Sequence, residues 1–416
     1  MRARVIWLYN VLWAAALILG APVWLPWVLL SSARRRGFRE RWSPLPVRSQ
    51  QTLWVHAASV GEAEAAMPLL ARLQEQGLSL IVTTSTATGR GRLRERFPGL
   101  TVRLAPLDLP GLIQVSVRRA RVQTLVLVET ELWPNMMRAV SVADGRVVIV
   151  SARISDRSYR WYLRARVLFA PLLRRVDRLG ARSEADLARF IALGVREERA
   201  TLTGDLKLDR PPPEAASDEL RNAIGRGPFL IGGSTHAGEE EALLRAWSEL
   251  RKGAAPELRL LLVPRHLQRV PAVCALVERH GASFGLRSEG ARQADVVIVD
   301  TLGELATLYG LAELVFSGGT LADVGGHNLI EPVQAGRVLV HGPHIENQRH
   351  QEQLLRPFGV LHRVRAPEDL ARVLGELWAD PERNARAAAA REGLLAHRGA
   401  LELTLKLLRP AGGPRA

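Results

Sequence analysis

Carboxylates, cations and glycines recur in this 416-residue chain at one kind of place, directly after a short apolar run. His56-Ala-Ala-Ser-Val-Gly-Glu62 follows the run Leu53–His56, and Glu62 opens the helical pattern behind it. A carboxylate there can act as a general base toward a hydroxyl. The plainer reading is a first-turn glutamate complementing the helix dipole. Val128-Glu129-Thr130-Glu131-Leu-Trp-Pro-Asn135 delivers two carboxylates at the end of a Thr-Leu-Val-Leu-Val run. Glu129 is costly to bury there unless it is paired or functional; a helix cap is the structural alternative. Thr203-Gly-Asp-Leu-Lys207 adds a cation able to neutralise a phosphate or carboxylate, although a lone lysine is ordinarily a surface residue.

The second half carries a different set. Gly232-Gly-Ser234-Thr235-His236-Ala-Gly-Glu-Glu240 reads as strand, glycine-rich loop and helix N-terminus, whose backbone N–H groups suit a phosphate. It is neither a Walker loop nor G-x-G-x-x-G, so nucleotide hydrolysis and dinucleotide binding are not indicated. Pro264-Arg265-His266 and Leu302-Gly303-Glu304 follow two further apolar runs. Ser317 to Pro332 packs four glycines into one connection, the composition of a backbone closely approached by a ligand. Within it Asn328 suits a helix N-cap, and Glu331 can accept from two ribose hydroxyls. No His/Cys/Asp cluster with metal-ligand spacing accompanies these residues, so neither a metal nor a cofactor is expected. The set suits transfer from an anionic activated sugar.

Such residues need strand ends to hold them. Strand-like runs at Leu53–His56, Leu78–Thr83, Thr124–Val128, Arg146–Val150 and Arg178–Ala181 alternate with helical patterns, of which Glu62–Gln76 is the clearest. The pattern restarts at Phe229–Gly232, Leu258–Val263, Asp295–Val299, Glu313–Ser317 and Val338–His341, and Pro367 to Arg409 is mostly helical. Alternation of this kind implies parallel sheets covered on both faces by helices. Pro211-Pro212-Pro213 can continue neither a helix nor a central strand, and marks a linker. The expected architecture is α/β, with two doubly wound domains and a cleft between them. A basic, apolar anchor spans 1–36, an acceptor domain 37–210 and a nucleotide domain 211–416.

Charge and hydropathy assign the partners. Residues 1–210 hold 33 Lys+Arg against 17 Asp+Glu, whereas 211–416 hold 24 against 25, so the positive excess is confined to the first half. Such asymmetry turns that half toward an anionic partner, a membrane surface or nucleic acid. Val5 to Leu30 carries no formal charge, contains four tryptophans and precedes Arg34, Arg35, Arg36, Arg39 and Arg41. Its length covers a hydrocarbon core of roughly 30 Å. The arginines suit stop-transfer better than a cleaved signal, and hold the following domain in the cytoplasm. Pro22 and Pro26 leave open whether the segment spans the bilayer or lies in it. Aromatics do not alternate with basic residues, which disfavours nucleic acid. Cys274 is the sole cysteine, consistent with a reducing compartment.

The motifs HAASVGE, VETELWPN, TGDLKLD, STHAGEE, LVPRH, DTLGEL and GGTLADVGGHNLIEP resemble, in order and spacing, those of the Kdo transferases. The resemblance runs from the anchor nearly to the C-terminus. It implies a GT-B fold of two Rossmann-like domains. It further implies inverting, metal-independent transfer of 3-deoxy-D-manno-octulosonic acid from CMP-Kdo to a lipid A precursor, at the cytoplasmic membrane, in lipopolysaccharide core biosynthesis. Glu62 matches the family's proton acceptor, and Glu129 and Lys207 match positions that stabilise the transition state. Pro264, Arg265, Leu302, Gly303, Glu304, Asn328, Leu329, Ile330 and Glu331 match CMP-contacting segments. Departures from the usual pattern are Ser151-Ala-Arg153-Ile-Ser155, the Leu329-Ile330 pair and Asn347-Gln348, which bear on the acceptor. Alternative expectations are another GT-B enzyme using a UDP-sugar, an epimerase of that fold, or an inactive membrane-anchored binding protein.

Overall fold

A computed structural model describes residues 3–209 and 215–409. The three-proline linker falls outside the described residues. The chain forms two compact units, Met1–Arg210 with His397–Ala416, and Pro211–Ala396. The first corrects the expected boundaries: the last helix, Ala400–Leu408, belongs with the N-terminal unit. Ala400 and Leu405 are buried in its core beside Val148, Val150 and Leu206, and Arg146 donates to the carbonyls of Leu407 and Leu408.

Unit 1 is a seven-stranded parallel sheet of β1 (Thr52–His56), β2 (Leu80–Thr84), β3 (Thr101–Leu104), β4 (Val122–Val128), β5 (Arg146–Ala152), β6 (Arg178–Ala181) and β7 (Ala200–Leu202), in the order β3-β2-β1-β4-β5-β6-β7. The central strands are buried on both faces, which is why they read as unbroken apolar runs. In β4, Leu125 and Leu127 enter one core cluster while Val126 and Val128 enter the other, the two-residue period of a strand.

Unit 2 repeats the plan with β8 (Phe229–Thr235), β9 (Arg259–Pro264), β10 (Phe284–Leu286), β11 (Val296–Ile298), β12 (Ala312–Ser317), β13 (Leu339–His341) and β14 (Leu361–Arg363), in the order β10-β11-β9-β8-β12-β13-β14 and all parallel. The sequence expectations locate every interior strand and omit β3, β7, β10 and β14.

Helix α1 (Ala3–Leu29) is followed by the arginine-rich α2 (Ser32–Arg41). Within α1, Ile6–Pro26 is long and apolar enough to cross a membrane, and Trp7, Leu12, Ile18, Leu19 and Val23 are exposed. Its first turns are nevertheless tied to unit 1. The Tyr9 hydroxyl donates to Asp108 Oδ2 at 2.9 Å, and Asn135 Nδ2 donates to Asn10 Oδ1 at 2.7 Å. Asp108 also accepts from the backbone N–H groups of Asn135 (2.9 Å) and Met136 (2.8 Å), so a residue remote in sequence caps helix Pro134–Val142. Burial raises the Asp108 carboxyl to about 6 against those three hydrogen bonds. Asp108→Ala leaves two helix-start N–H groups without their acceptor. It is expected to lower stability by about 1–3 kcal/mol in thermal unfolding of the detergent-solubilised chain; an unchanged midpoint would show that the cap is dispensable.

Candidate active site

The loop Ala57–Ser59 joins β1 to α3 (Val60–Glu75). Ser59 caps α3, its Oγ accepting from Glu62 N at 3.2 Å and donating to Glu62 Oε1 at 3.0 Å, while Ala58 N donates to Glu62 Oε2 at 2.7 Å. Ser59 is thus the N-cap, and Glu62 reaches back to the backbone N–H one residue before it, so the plain reading of Glu62 holds. The same carboxyl also lines a cavity of about 370 Å³ with Glu129, Thr130, Glu131, Arg153, Ser155, Ser158 and Tyr162. Burial, with the Glu131 and Glu129 carboxylates adding, pushes the Glu62 carboxyl up to about 7 against its two hydrogen bonds. A carboxylate poised near neutrality suits proton abstraction.

β4 and β5 end in backbone that non-glycine residues rarely adopt: Glu129 has φ +62° and Ser151 φ +50°. Strain of this kind collects at functional sites. It turns Glu129 so that Oε1 receives Lys207 Nζ at 2.8 Å and Oε2 lies 3.5 Å from Arg153 Nη1. The structure thus brings Glu62, Glu129 and Lys207 into one group. It also engages the Lys207 ammonium with Glu129, so Lys207 acts first on that carboxylate. Asp205, buried and accepting from Lys207 N at 3.0 Å, fixes the short turn that carries the lysine.

Glu131, Arg153 and Tyr162 also line the cavity; the sequence offered Glu131 as the second carboxylate of its motif and Arg153 within a departing segment, each without a role, and did not offer Tyr162. Their signal was position, Glu131 two residues past Glu129 and Arg153 just beyond β5. Burial, then Glu129, raises the Glu131 carboxyl, and Trp133 Nε1 donates to it at 2.8 Å. His56 Nε2 stands 3.9 Å from Glu131, but burial holds this imidazole down at about 4. The neutral ring is instead placed by Thr83 Oγ1, 2.9 Å from Nδ1, and meets Trp133 edge-on.

In unit 2, Arg265 N donates to the Thr235 carbonyl at 3.0 Å, joining the ends of β8 and β9. Ser234 there has φ +56°. Glu304, after β11, accepts from Arg287 Nη2 at 2.7 Å and from the Thr301 hydroxyl. Asn328 Oδ1 accepts from Ile330 N at 2.9 Å in a local turn, but the N-cap of helix Ile330–Gln334 is Leu329, which corrects the expected cap; Leu329 N donates to Gln351. Helix Leu305–Tyr309 packs on helix Ile330–Gln334, which brings Leu302-Gly303-Glu304 and Asn328–Glu331 into one neighbourhood. Burial and then Glu331 raise the Tyr309 hydroxyl.

The glycine-rich connections are partly occupied from within: Glu239, 1% exposed, takes one amide of the loop after β8 and four of the connection after β12. Its Oε2 accepts from His236 N (2.9 Å) and Gly319 N (2.8 Å), and its Oε1 from Thr320 N (2.9 Å), Leu321 N (2.9 Å) and Ala322 N (3.2 Å). An anion nest is filled by the protein's own carboxylate. Beside it, Arg269 clamps Glu240 with two bonds of 2.7 and 3.0 Å.

Two other features take no part in this chemistry. A larger cavity of about 820 Å³ sits around Arg221, Arg226, Phe229 and Arg292, at the amino end of β8, whereas ligands of such sheets gather at the carboxyl ends. Among the described residues, one group with metal-ligand spacing is Asp323, His344 and Glu346, where Asp323 and Glu346 are exposed.

A family profile described as 3-deoxy-D-manno-octulosonic-acid transferase (kdotransferase) matches residues 32–210. The chain is 34% identical to the 3-deoxy-D-manno-octulosonic acid transferase of Bordetella pertussis, over 98% of this chain and 96% of that protein. The chain belongs to the Kdo transferase family. The Haemophilus influenzae Kdo transferase is 32% identical over 91% of this chain and 90% of its own length. Among solved structures, a glycosyltransferase from Rickettsia africae (TM-score 0.59, 12% identity, 86% of this chain and 98% of that one) shares the fold. So does a UDP-N-acetylglucosamine 2-epimerase (TM-score 0.61, 13% identity, 90% and 99%). These neighbours establish GT-B architecture for this Kdo transferase. They carry no information on its donor.

Proposed function

We propose that this Kdo transferase takes Kdo from CMP-Kdo and places it on a hydroxyl of a lipid A precursor, with inversion and without a metal or cofactor. The observation that carries the reading is the Glu62 carboxyl, pushed to about 7 inside a cavity that it shares with Glu129 and Glu131. Glu62 takes the acceptor hydroxyl's proton as that oxygen bonds to the anomeric carbon. The bond from that carbon to the phosphate oxygen breaks, and the electron pair leaves with CMP. Lys207 holds Glu129 in place at 2.8 Å, and Glu129 in turn orients Arg153 beside the acceptor. Ser234, Thr235, Pro264, Arg265, Leu302 to Glu304 and Asn328 to Glu331 form the donor's seat in unit 2. With α1 in the inner membrane and α2 on its cytoplasmic face, the basic unit 1 meets the phosphorylated lipid at the bilayer surface.

Purified enzyme is incubated with CMP-Kdo and a tetra-acylated lipid A precursor in excess EDTA, and the lipid is weighed by mass spectrometry. Addition of one or more Kdo masses is expected. Activity that appears only when Mg²⁺ replaces EDTA would overturn the metal-free reading. Product from UDP-sugars and none from CMP-Kdo would overturn the donor.

A further inference from the structure

His236, after β8, and His327, after β12, meet Nε2 to Nε2 at 2.9 Å, their rings 10° from parallel and 5.1 Å apart. His266, after β9, sets its ring edge-on to His236 at 5.7 Å. Three imidazoles from three strand ends thus converge, and a glycine admits them: a Cβ on Gly319 would lie 3.0 Å from the His327 ring. No step of the transfer described above uses them.

A hydrogen bond between two imidazole nitrogens needs one N–H and one lone pair. Two imidazolium rings would turn N–H toward N–H, so the pair keeps this contact with at most one positive charge. The charged groups that face it are Arg265, Arg269, Glu239 and Glu240. Arg269 is clamped to Glu240, and Glu239 holds the loop amides. Arg265 forms no ion pair among the described residues, and its charge reaches His327. Five amides at these strand ends already hold Glu239, and Arg265 and the imidazoles stand there as further partners for an anion.

We infer that His236 and His327, with Arg265, seat the phosphate of the nucleotide, and that the phosphate enters together with one proton, which the imidazole pair keeps. The inference rests on the donor reading above. Burial, then Arg265, His236 and His266, holds His327 down at about 4, and burial also lowers His236. The empty pair is therefore neutral at pH 7. A phosphate dianion beside it reverses the sign of the local field and favours the charged form. In the reaction the phosphate gains its second charge as the sugar leaves, so a cation held there acts where charge develops.

CMP is titrated calorimetrically into the full-length enzyme in EDTA, at pH 7.5, in three buffers of different ionisation enthalpy. CMP is then already a dianion, its second ionisation lying near 6, so a proton taken up belongs to the protein. Uptake of close to one proton per CMP is expected. Affinity should weaken about tenfold from pH 7 to pH 8, and His327→Asn should abolish both effects. CMP bound without proton uptake, or uptake equal for cytidine, which lacks the phosphate, would overturn the inference and leave the donor reading standing. Failure of CMP to bind at any pH would overturn both.

Discussion

Glu62→Gln lowers the rate of Kdo transfer by about 10²–10⁴-fold while CMP binding is unchanged. Glutamine keeps the helix start, because its carbonyl oxygen accepts from Ala58 N and Ser59 still accepts from residue 62, so the loss reads on chemistry and not on folding. The wild-type rate should rise with pH through about 7 and level off above it, since the base must be unprotonated. Stability runs the other way. The folded carboxyl sits above its unfolded value, so Glu62 contributes most below that value and the contribution is lost as pH rises through about 7. The glutamine variant should therefore gain on the wild type in thermal unfolding between pH 5 and pH 8. A variant with wild-type turnover would remove Glu62 as the base. A flat wild-type rate profile from pH 5.5 to 8.5 would remove its tuning.

Glu239→Ala should give the largest loss of stability in unit 2, about 3–5 kcal/mol by urea unfolding. Five backbone N–H groups from the loops after β8 and β12 lose a common acceptor that is itself buried. The loop carrying His327 would then come free, so CMP affinity should fall as well. Glu239→Gln, which retains one acceptor oxygen, should lose less. A variant within 1 kcal/mol of the wild type would mean that the loops hold themselves.

The four strands that the sequence failed to announce, β3, β7, β10 and β14, are the four edges of the two sheets. A central strand such as Leu125–Val128 is buried on both faces and reads as an apolar run. Ala200–Leu202 is half open to solvent, and Phe284–Leu286 is only partly covered, so neither needs such a run. The C-terminal helix escaped for a related reason: Leu405 is apolar in either unit, and only packing decides which core receives it. At the site, local signals pointed to Glu62 and Glu129 as candidates, because they stand at strand ends beside conspicuous glycine or tryptophan. Glu239 was unreadable because its partners lie some eighty residues downstream, and two glutamates opening a helix look like ordinary dipole complements. His236 looked alone until the fold brought His327 to it.

The bond from Tyr9 to Asp108 also bears on what α1 can do. A helix joined to a domain by a loose linker is a leash, and leaves the catalytic surface to wander above the bilayer. Here the first turns of α1 are bolted to the residue that caps helix Pro134–Val142, directly behind the loop carrying Glu131 and Trp133. If α1 is embedded as proposed, it is a keel: its depth in the lipid would fix the height of Glu62 above the headgroups, and an acceptor would be measured by altitude as well as by shape.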